Sequence, residues 1–215
     1  MAFNIQSFKS NISSFGYLKP SHFEVGVAPP RFMQGAQLVS SNSVSSVTSM
    51  TDRLRFRIDQ VVIPGASLMS SEVQVYGIGV QQKMPFNAFL HDSNFTVLVD
   101  KKAELWHFWY NWVRYINEFN GTETTAQLRN PSFNVRYKDD YSTTMQIVMY
   151  DDEGEVNTRV NLYEAFPSSV REIPLAWNDT GDLMRIAVSV TYSSYSIVGS
   201  NLVIPNEGAR PLGGR

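Results

Sequence analysis

The chain has 215 residues, of which 43% are hydrophobic and 13% aromatic, and this is enough apolar material for one domain with a packed core. Its formal net charge of −2 argues against a nucleic-acid-binding domain, because such domains usually carry a basic face. The absence of cysteine excludes disulfides, thiol nucleophiles and thiolate metal sites.

Residues 1–20 are predicted to form an N-terminal arm. Phe3, Phe8 and Phe15 recur at a loosely helical spacing, which indicates an arm or short helix that packs on a neighbouring subunit or on its own domain. The arm lacks the long apolar run of a secretory signal, and no window of the chain approaches the roughly 18–20 apolar residues of a membrane span. We therefore expect a soluble, unexported protein without membrane contact.

A single β domain is predicted over residues 21–195. Its first strand covers 21–27 and is stopped by two prolines. Residues 31–51 are rich in serine and offer little apolar surface, which predicts a loop. A loop of this length is either ordered at an interface or flexible at the surface. The Gly- and Pro-rich residues 196–215 are predicted to be a tail that is mobile alone or ordered by a partner.

Alternation of polar and apolar side chains predicts the remaining strands of the domain. They cover 53–61, 72–82, 93–99, 143–150, 155–163 and 183–192. Arg53, Arg55 and Arg57 share one face of the first of these. That face suits a phosphate-binding stripe or pairing with acidic neighbours, and the latter is favoured because no aromatic platform interleaves with the charges. Residues 151–154 predict a hairpin turn, and Phe166-Pro167 predicts a break after the fifth of these strands.

Residues 101–119 predict the main helix. Asp100 is a good N-cap residue, and Gly121 is suited to the C-terminal end. One apolar stripe recurs at four-three-four-three spacing. Its members are Leu105, Trp109, Trp112, Ile116 and Phe119. Such an aromatic stripe is more typical of a protein core than of a ligand site, so these residues are predicted to pack the helix on a sheet.

The polar side chains of the strands are the candidate working surface. They are Gln74, Thr144, Gln146, Glu155, Asn157, Arg159 and Asn161. Either they line a water-filled channel or they are ordinary solvent-exposed residues of a monomer. No catalytic, metal or cofactor site is predicted, because His22, His91 and His107 are scattered and no nucleophile or phosphate-loop motif is present. We therefore expect a protein that is not an enzyme.

Residues 160–192 resemble the C-terminal half of the tail-tube family of contractile-tailed bacteriophages. The matching features are the turn Phe166-Pro167, the segment Ile173-Pro174-Leu175, and the final strand from Val188 to Tyr192. Residues 19–25 and the turn Ile63-Pro64-Gly65 resemble earlier motifs of the family, in the same order. The resemblance covers roughly residues 18–195.

This resemblance implies a structural virion protein of the tail. It implies an α+β, mainly antiparallel fold: a β-sandwich or partial barrel with one packed α-helix, whose strands join across subunits into a large barrel in a hexameric ring. The rings stack into the inner tube, and the expected partners are the protein itself, the sheath, the tape-measure protein and the baseplate hub or neighbouring tube proteins. Genomic DNA passes through the lumen without specific binding, and assembly takes place in the host cytoplasm.

Two alternatives remain open from the sequence. One is a baseplate tube-initiator protein of the same fold, and the other is a soluble β-sandwich module that binds carbohydrate or protein. For a tube, the lumen is predicted to be polar and net neutral to negative, because a positive wall would bind the phosphates of DNA.

Overall fold

The computed structural model describes residues 5, 6, 9, 18–35, 37–40, 43–73, 81–117, 135–176 and 183–199. The strands are β1 (Phe23–Val27), β2 (Gln37–Ser40), β3 (Ser43–Ser46), β4 (Ile58–Val61), β5 (Ala66–Val73), β6 (Gln82–Leu90), β7 (Ser93–Leu98), β8 (Thr143–Tyr150), β9 (Val156–Val170), β10 (Arg185–Thr191) and β11 (Ser194–Val198). The helices are α1 (Val47–Leu54), α2 (Glu104–Ile116) and α3 (Lys138–Tyr141), with a 3₁₀ turn at Arg31–Met33. The prediction of a mainly antiparallel β fold with one long packed helix is confirmed.

One seven-stranded antiparallel sheet forms the body of the domain, in the order β1-β8-β9-β10-β7-β4, with β11 also paired to β9. Strand β9 connects the two halves of this sheet because it is 15 residues long. Its first part pairs with β8 and β11, and its last part pairs with β10. At the corner between the two parts, Glu164 has a φ of 52°, in the left-handed region. This corner lets the sheet turn around a single core.

The predicted break at Phe166-Pro167 is wrong, because β9 continues through both residues to Val170. Proline has no backbone N–H, so within a sheet it is found at edges and at bulges. Here Ser189 is opposite Ser169 and Val190 is opposite Pro167, so Ser168 is an extra residue at a register shift. This irregularity accommodates the proline inside the strand.

Helix α2 packs into the core as predicted, although it is shorter than 101–119. Leu105, Trp109 and Trp112 are fully buried, and Ile116 packs partly buried against them, whereas Phe119 lies outside the described residues. Phe108, which is not part of the predicted stripe, is also fully buried. The helix is therefore apolar over a wider face than its spacing indicated.

The bounds of α2 follow from its caps. Asp100 does accept a first-turn hydrogen bond, from the N–H of Leu105 at 3.3 Å. The capping position itself is occupied by Ala103, which has a φ of 55°, so the helix begins at Glu104. At the other end, Asn117 is extended and forms a β-bridge with Val135, which ends the helix before Gly121.

The predicted strand at 53–61 and the Ser-rich loop at 31–51 are both wrong in part. Ser46 caps α1 by accepting a hydrogen bond from the N–H of Ser49 at 3.3 Å. Four residues of α1 are buried at helical spacing: Val47, Met50, Thr51 and Leu54. The alternation around Leu54 therefore belongs to a helix and the turn after it, and only 58–61 is strand. Most of the remaining serine-rich segment pairs as the hairpin β2-β3.

Two other boundaries also differ from the predictions. The predicted strand at 72–82 is wrong at its ends: Glu72 and Val73 end β5, Gln82 begins β6, and Val73 is opposite Gln82 in the paired hairpin, whereas 74–80 lie outside the described residues. The predicted tail at 196–215 begins inside β11, because Ser196, Ile197 and Val198 pair with β9. Sequence alternation alone did not show these long-range pairings.

Candidate assembly interface and channel surface

The outward face of β8, β9 and β11 carries a network of uncharged polar side chains. The registers place Gln146, Asn161 and Ser196 in one row across these strands. Gln146 Nε2 donates to Asn161 Oδ1 at 2.8 Å, and Asn161 Nδ2 donates to Ser196 Oγ at 3.5 Å. The Tyr163 hydroxyl lies 3.0 Å from Ser196 Oγ. The amide and hydroxyl groups thus satisfy one another along the sheet and leave a wet surface without free charge at this level.

The next row of the same face contains charged groups. Arg159 is exposed and stands between Val148 and Val198. At the edge of the row, Glu24 is held by Arg55 Nε at 2.6 Å and by the Tyr150 hydroxyl at 3.1 Å. The Glu24 carboxylate raises the pKa of Arg55, so this guanidinium keeps its charge beside Glu24. Arg159 is consequently the prominent cation of the described face.

The structure brings together part of the predicted polar set. Gln146, Arg159 and Asn161 lie in adjacent rows, and Thr144 is exposed two residues before Gln146 on β8. Asn157 is exposed near the start of β9, where its Oδ1 accepts a hydrogen bond from Thr158 Oγ1 at 2.8 Å.

Glu155 does not join that face. Glu155 lies in the β8-β9 turn, where its N–H donates to Asp151 Oδ1 at 2.9 Å. Gln74 lies outside the described residues. Sequence reasoning missed Tyr163, although it continues the alternation of Arg159 and Asn161, and it missed Ser196 because the strand β11 was not predicted.

A second surface is formed by the projecting hairpin, which we define as β5 and β6. All residues of β5 and all residues of β6 except Leu90 are exposed, so neither face of this hairpin packs on the described domain. Its large apolar side chains include Leu68, 70% exposed, Phe86, 65% exposed, and Phe89, 50% exposed. Pro85 in β6 is opposite Ser70, next to a register shift. Exposed apolar surface of this extent marks an interaction site.

A polar clip stabilises the corner of β9. Lys138 Nζ lies 2.5 Å from Glu164 Oε2, and the same ammonium also contacts Ser193 Oγ. Lys138 belongs to α3, and Ser193 belongs to the bend between β10 and β11. Hydrogen bonds from Lys138 and then Ser193 lower the pKa of Glu164 below its ordinary value of 4.5. The clip therefore connects three elements through one carboxylate.

Stability should depend on this clip in a pH-dependent way. A carboxylate whose pKa is depressed in the folded state stabilises the fold above its unfolded pKa, and this contribution is lost as the pH falls through the folded pKa. We expect Lys138→Met to lower the melting temperature at pH 7, and the difference from wild type to disappear as the pH falls below 4.5. Thermal unfolding from pH 7 to pH 3 measures this difference, with Glu164→Gln as the matched variant. A difference that stays constant over this range would contradict the assignment.

The described residues do not form a recognisable chemical centre. No three His, Asp or Glu side chains among them are grouped so that they could hold a metal ion. A cleft of about 450 Å³ between β1, β4 and β8 is lined mainly by apolar side chains such as Phe23, Val61 and Ile147. No helix in the described ranges is long and apolar enough to cross a membrane. The notable surfaces of the chain are thus the polar sheet face and the projecting hairpin.

Comparisons with solved structures identify proteins with a similar fold. The anti-feeding prophage baseplate, 6-fold symmetrised, contains a chain that matches with a TM-score of 0.52 at 11% identity, covering 86% of this chain and 98% of that one. A chain of the sheath-tube complex of an extracellular contractile injection system matches with a TM-score of 0.49 at 15% identity, covering 89% and 97%. Hcp1 from Salmonella typhimurium matches with a TM-score of 0.37 at 11% identity, covering 82% and 85%.

The sequence itself identifies the family. No curated protein is matched. The family model described as phage tail tube protein matches residues 18–198, which include every strand of the seven-stranded sheet and the projecting hairpin. The resemblance found in the sequence motifs is confirmed by this match. The chain belongs to the phage tail tube protein family, and its role is that of a structural component of the virion tail.

Proposed function

We propose that this protein forms hexameric rings that stack into the inner tube of a contractile tail. The projecting hairpin is the observation that carries the proposal. An isolated two-stranded hairpin is marginally stable in water, and this one exposes Leu68, Phe86 and Phe89 on two strands that are solvent-exposed along nearly their whole length. A neighbouring copy of the same subunit provides the missing packing surface.

The edges of the sheet support the same proposal. Strands β1 and β4 are the end strands of the described sheet, so each has an edge that no described strand pairs. Exposed edges invite uncontrolled pairing, and closing strands into a barrel removes them. A head-to-tail contact repeated around a closed ring leaves no unmatched surface, whereas an isolated subunit retains both edges.

We propose that the outward face of β8, β9 and β11 lines the channel. Its Gln146-Asn161-Ser196 row offers amides and hydroxyls that already hydrogen-bond to one another, so it does not compete for the phosphates of passing DNA. Arg159 adds one cation per subunit to this wall, which runs against the net neutral to negative lumen expected from the sequence. Under this proposal the genome and the tape-measure protein occupy the lumen, and the sheath surrounds the tube. The baseplate hub or neighbouring tube proteins contact its end, assembly occurs in the host cytoplasm, and the subunit has no enzymatic activity.

The test is the assembly state of the purified full-length protein. Sedimentation velocity at increasing concentration, combined with negative-stain imaging, should show hexameric rings and stacked tubes. Rings that never stack would point to a tube-initiator protein of the baseplate. A monomer that persists up to the solubility limit would contradict self-assembly and would leave a binding module as the better interpretation.

A further inference from the structure

The projecting hairpin is the outer half of one longer hairpin. Its inner half is the pair β4-β7 within the sheet, and both strands are interrupted at the same level, at residues 62–65 and at residues 91–92. Two backbone hydrogen bonds cross this interruption: Val62 N–H to Asn94 O at 2.9 Å and His91 N–H to Gly65 O at 3.0 Å. We call this level the junction. Apart from Leu90 at its base, which packs against the core, the residues of the outer half are exposed, so its direction is determined at the junction.

Two side chains from the body of the domain hold the junction. Ser93 is fully buried, and its hydroxyl donates to Val62 O at 2.5 Å. Tyr192 is 7% exposed, and its hydroxyl donates to His91 O at 2.6 Å. Each bond holds a main-chain carbonyl on one of the two strands where they leave the sheet. Hydrogen bonds thus fix the main chain of both strands of the hairpin immediately before its exposed part.

Tyr192 is well suited to act as a fixed support. It follows β10 at the bend before β11, and its ring packs edge-on against Tyr195 with centroids 5.9 Å apart. Burial raises the pKa of Tyr192, so the hydroxyl remains protonated and able to donate throughout the neutral range. A buried aromatic ring has few rotamers available, so the position of its hydroxyl is set by the core.

We propose that Tyr192 is a positioning residue for assembly, which sets the angle at which the projecting hairpin leaves the domain and so presents it to the next subunit. This inference rests on the proposed function for its docking role, whereas the angle itself is a property of one subunit. A hairpin held at one angle loses less conformational entropy on docking than a swinging one. Loss of the Tyr192 hydroxyl should therefore weaken assembly without altering any apolar side chain of the hairpin.

The first experiment measures the angle in a single subunit. The sequence has no cysteine, so spin labels can be attached selectively at Ser71→Cys on the hairpin and Ser169→Cys on β9. Distances are recorded by double electron–electron resonance in the Leu68→Lys, Phe86→Lys background, which we expect to remain monomeric. Tyr192→Phe should broaden the distance distribution, and Tyr195→Phe, which keeps the Tyr192 hydroxyl, should not. Equal distributions for Tyr192→Phe and the parent would overturn the proposal.

The second experiment measures assembly with the unmodified hairpin. Removing one net hydrogen bond corresponds to a factor of roughly 2–10 in an equilibrium constant, so Tyr192→Phe should raise the concentration of half-assembly by about that factor. Tyr195→Phe should stay near wild type, and an equal loss in both variants would overturn the specific role of Tyr192. If wild type does not assemble at all, the proposed function and the docking role fail together. The distance measurement then still decides whether Tyr192 sets the angle.

Discussion

Replacing Trp112 with alanine should lower the melting temperature by roughly 10–20 °C, corresponding to a loss of about 5 kcal/mol for a chain of this size. Trp112 is fully buried and stacks on Trp109 with ring centroids 5.6 Å apart. Its Nε1 donates to the carbonyl of Tyr141 at 2.8 Å, so it also connects α2 to α3. The substitution leaves a large cavity and deprives a buried carbonyl of its donor. Thermal unfolding monitored by circular dichroism measures the change.

Two phenylalanine variants separate packing from hydrogen bonding. Trp109 is equally buried, but its Nε1 makes no hydrogen bond within the described part of the chain. Trp109→Phe should therefore lose mainly ring volume. Trp112→Phe should lose similar volume and the bond to Tyr141, so it should be less stable than Trp109→Phe by about 1–3 kcal/mol. Equal stability of the two variants would show that the bond to Tyr141 contributes nothing.

Replacing both Leu68 and Phe86 with lysine should abolish self-assembly while leaving the fold intact. Both side chains are among the most exposed of the large apolar residues, so neither substitution disturbs the core. In a ring, each subunit interface would instead bury two additional charges, and an unpaired charge at a desolvated interface costs several kcal/mol. Sedimentation velocity should show a monomer at concentrations where wild type forms rings.

The matched control places the same two charges elsewhere on the surface. Gln34 and Ser169 are exposed and lie outside the projecting hairpin, and Gln34→Lys with Ser169→Lys adds the same net charge. That variant should form rings at concentrations close to those of wild type, and its melting temperature should be unchanged. If the Leu68→Lys, Phe86→Lys protein assembles at the same concentrations as wild type, the projecting hairpin is not part of the subunit interface.

Local patterns predicted the elements whose side chains face one core. The apolar stripe of α2 and the alternation over β8 were sufficient to predict a helix and a strand, because each pattern keeps a single period over a long segment. Around Leu54 the pattern was ambiguous: the same leucine fits the alternation of Arg53 and Arg55 and the helical spacing that starts at Val47. The cap at Ser46 decides for the helix, and it was hidden in a segment that composition alone assigned to a loop.

The surfaces were harder to predict than the core. The Gln146-Asn161 contact follows from alternation and strand pairing, and part of this face was predicted. The third strand of the face, β11, pairs with β9 in a register that no local signal specifies. The projecting hairpin was missed because its strands carry apolar and polar side chains on both faces and therefore lack a clear alternation. A segment that is completed by another subunit has no reason to follow the pattern of a half-buried strand.

The exposed hairpin also makes the free subunit vulnerable to aggregation. Long, apolar edge strands recruit further strands and form fibres when no other partner is present. Two residues of β6 oppose this. Pro85 cannot donate a backbone hydrogen bond, and Lys83, which lies opposite Glu72, brings a charge to the same edge. Newly made subunits thus keep the exposed hairpin available for assembly without aggregating through it. Assembly then requires a complementary surface on the partner subunit.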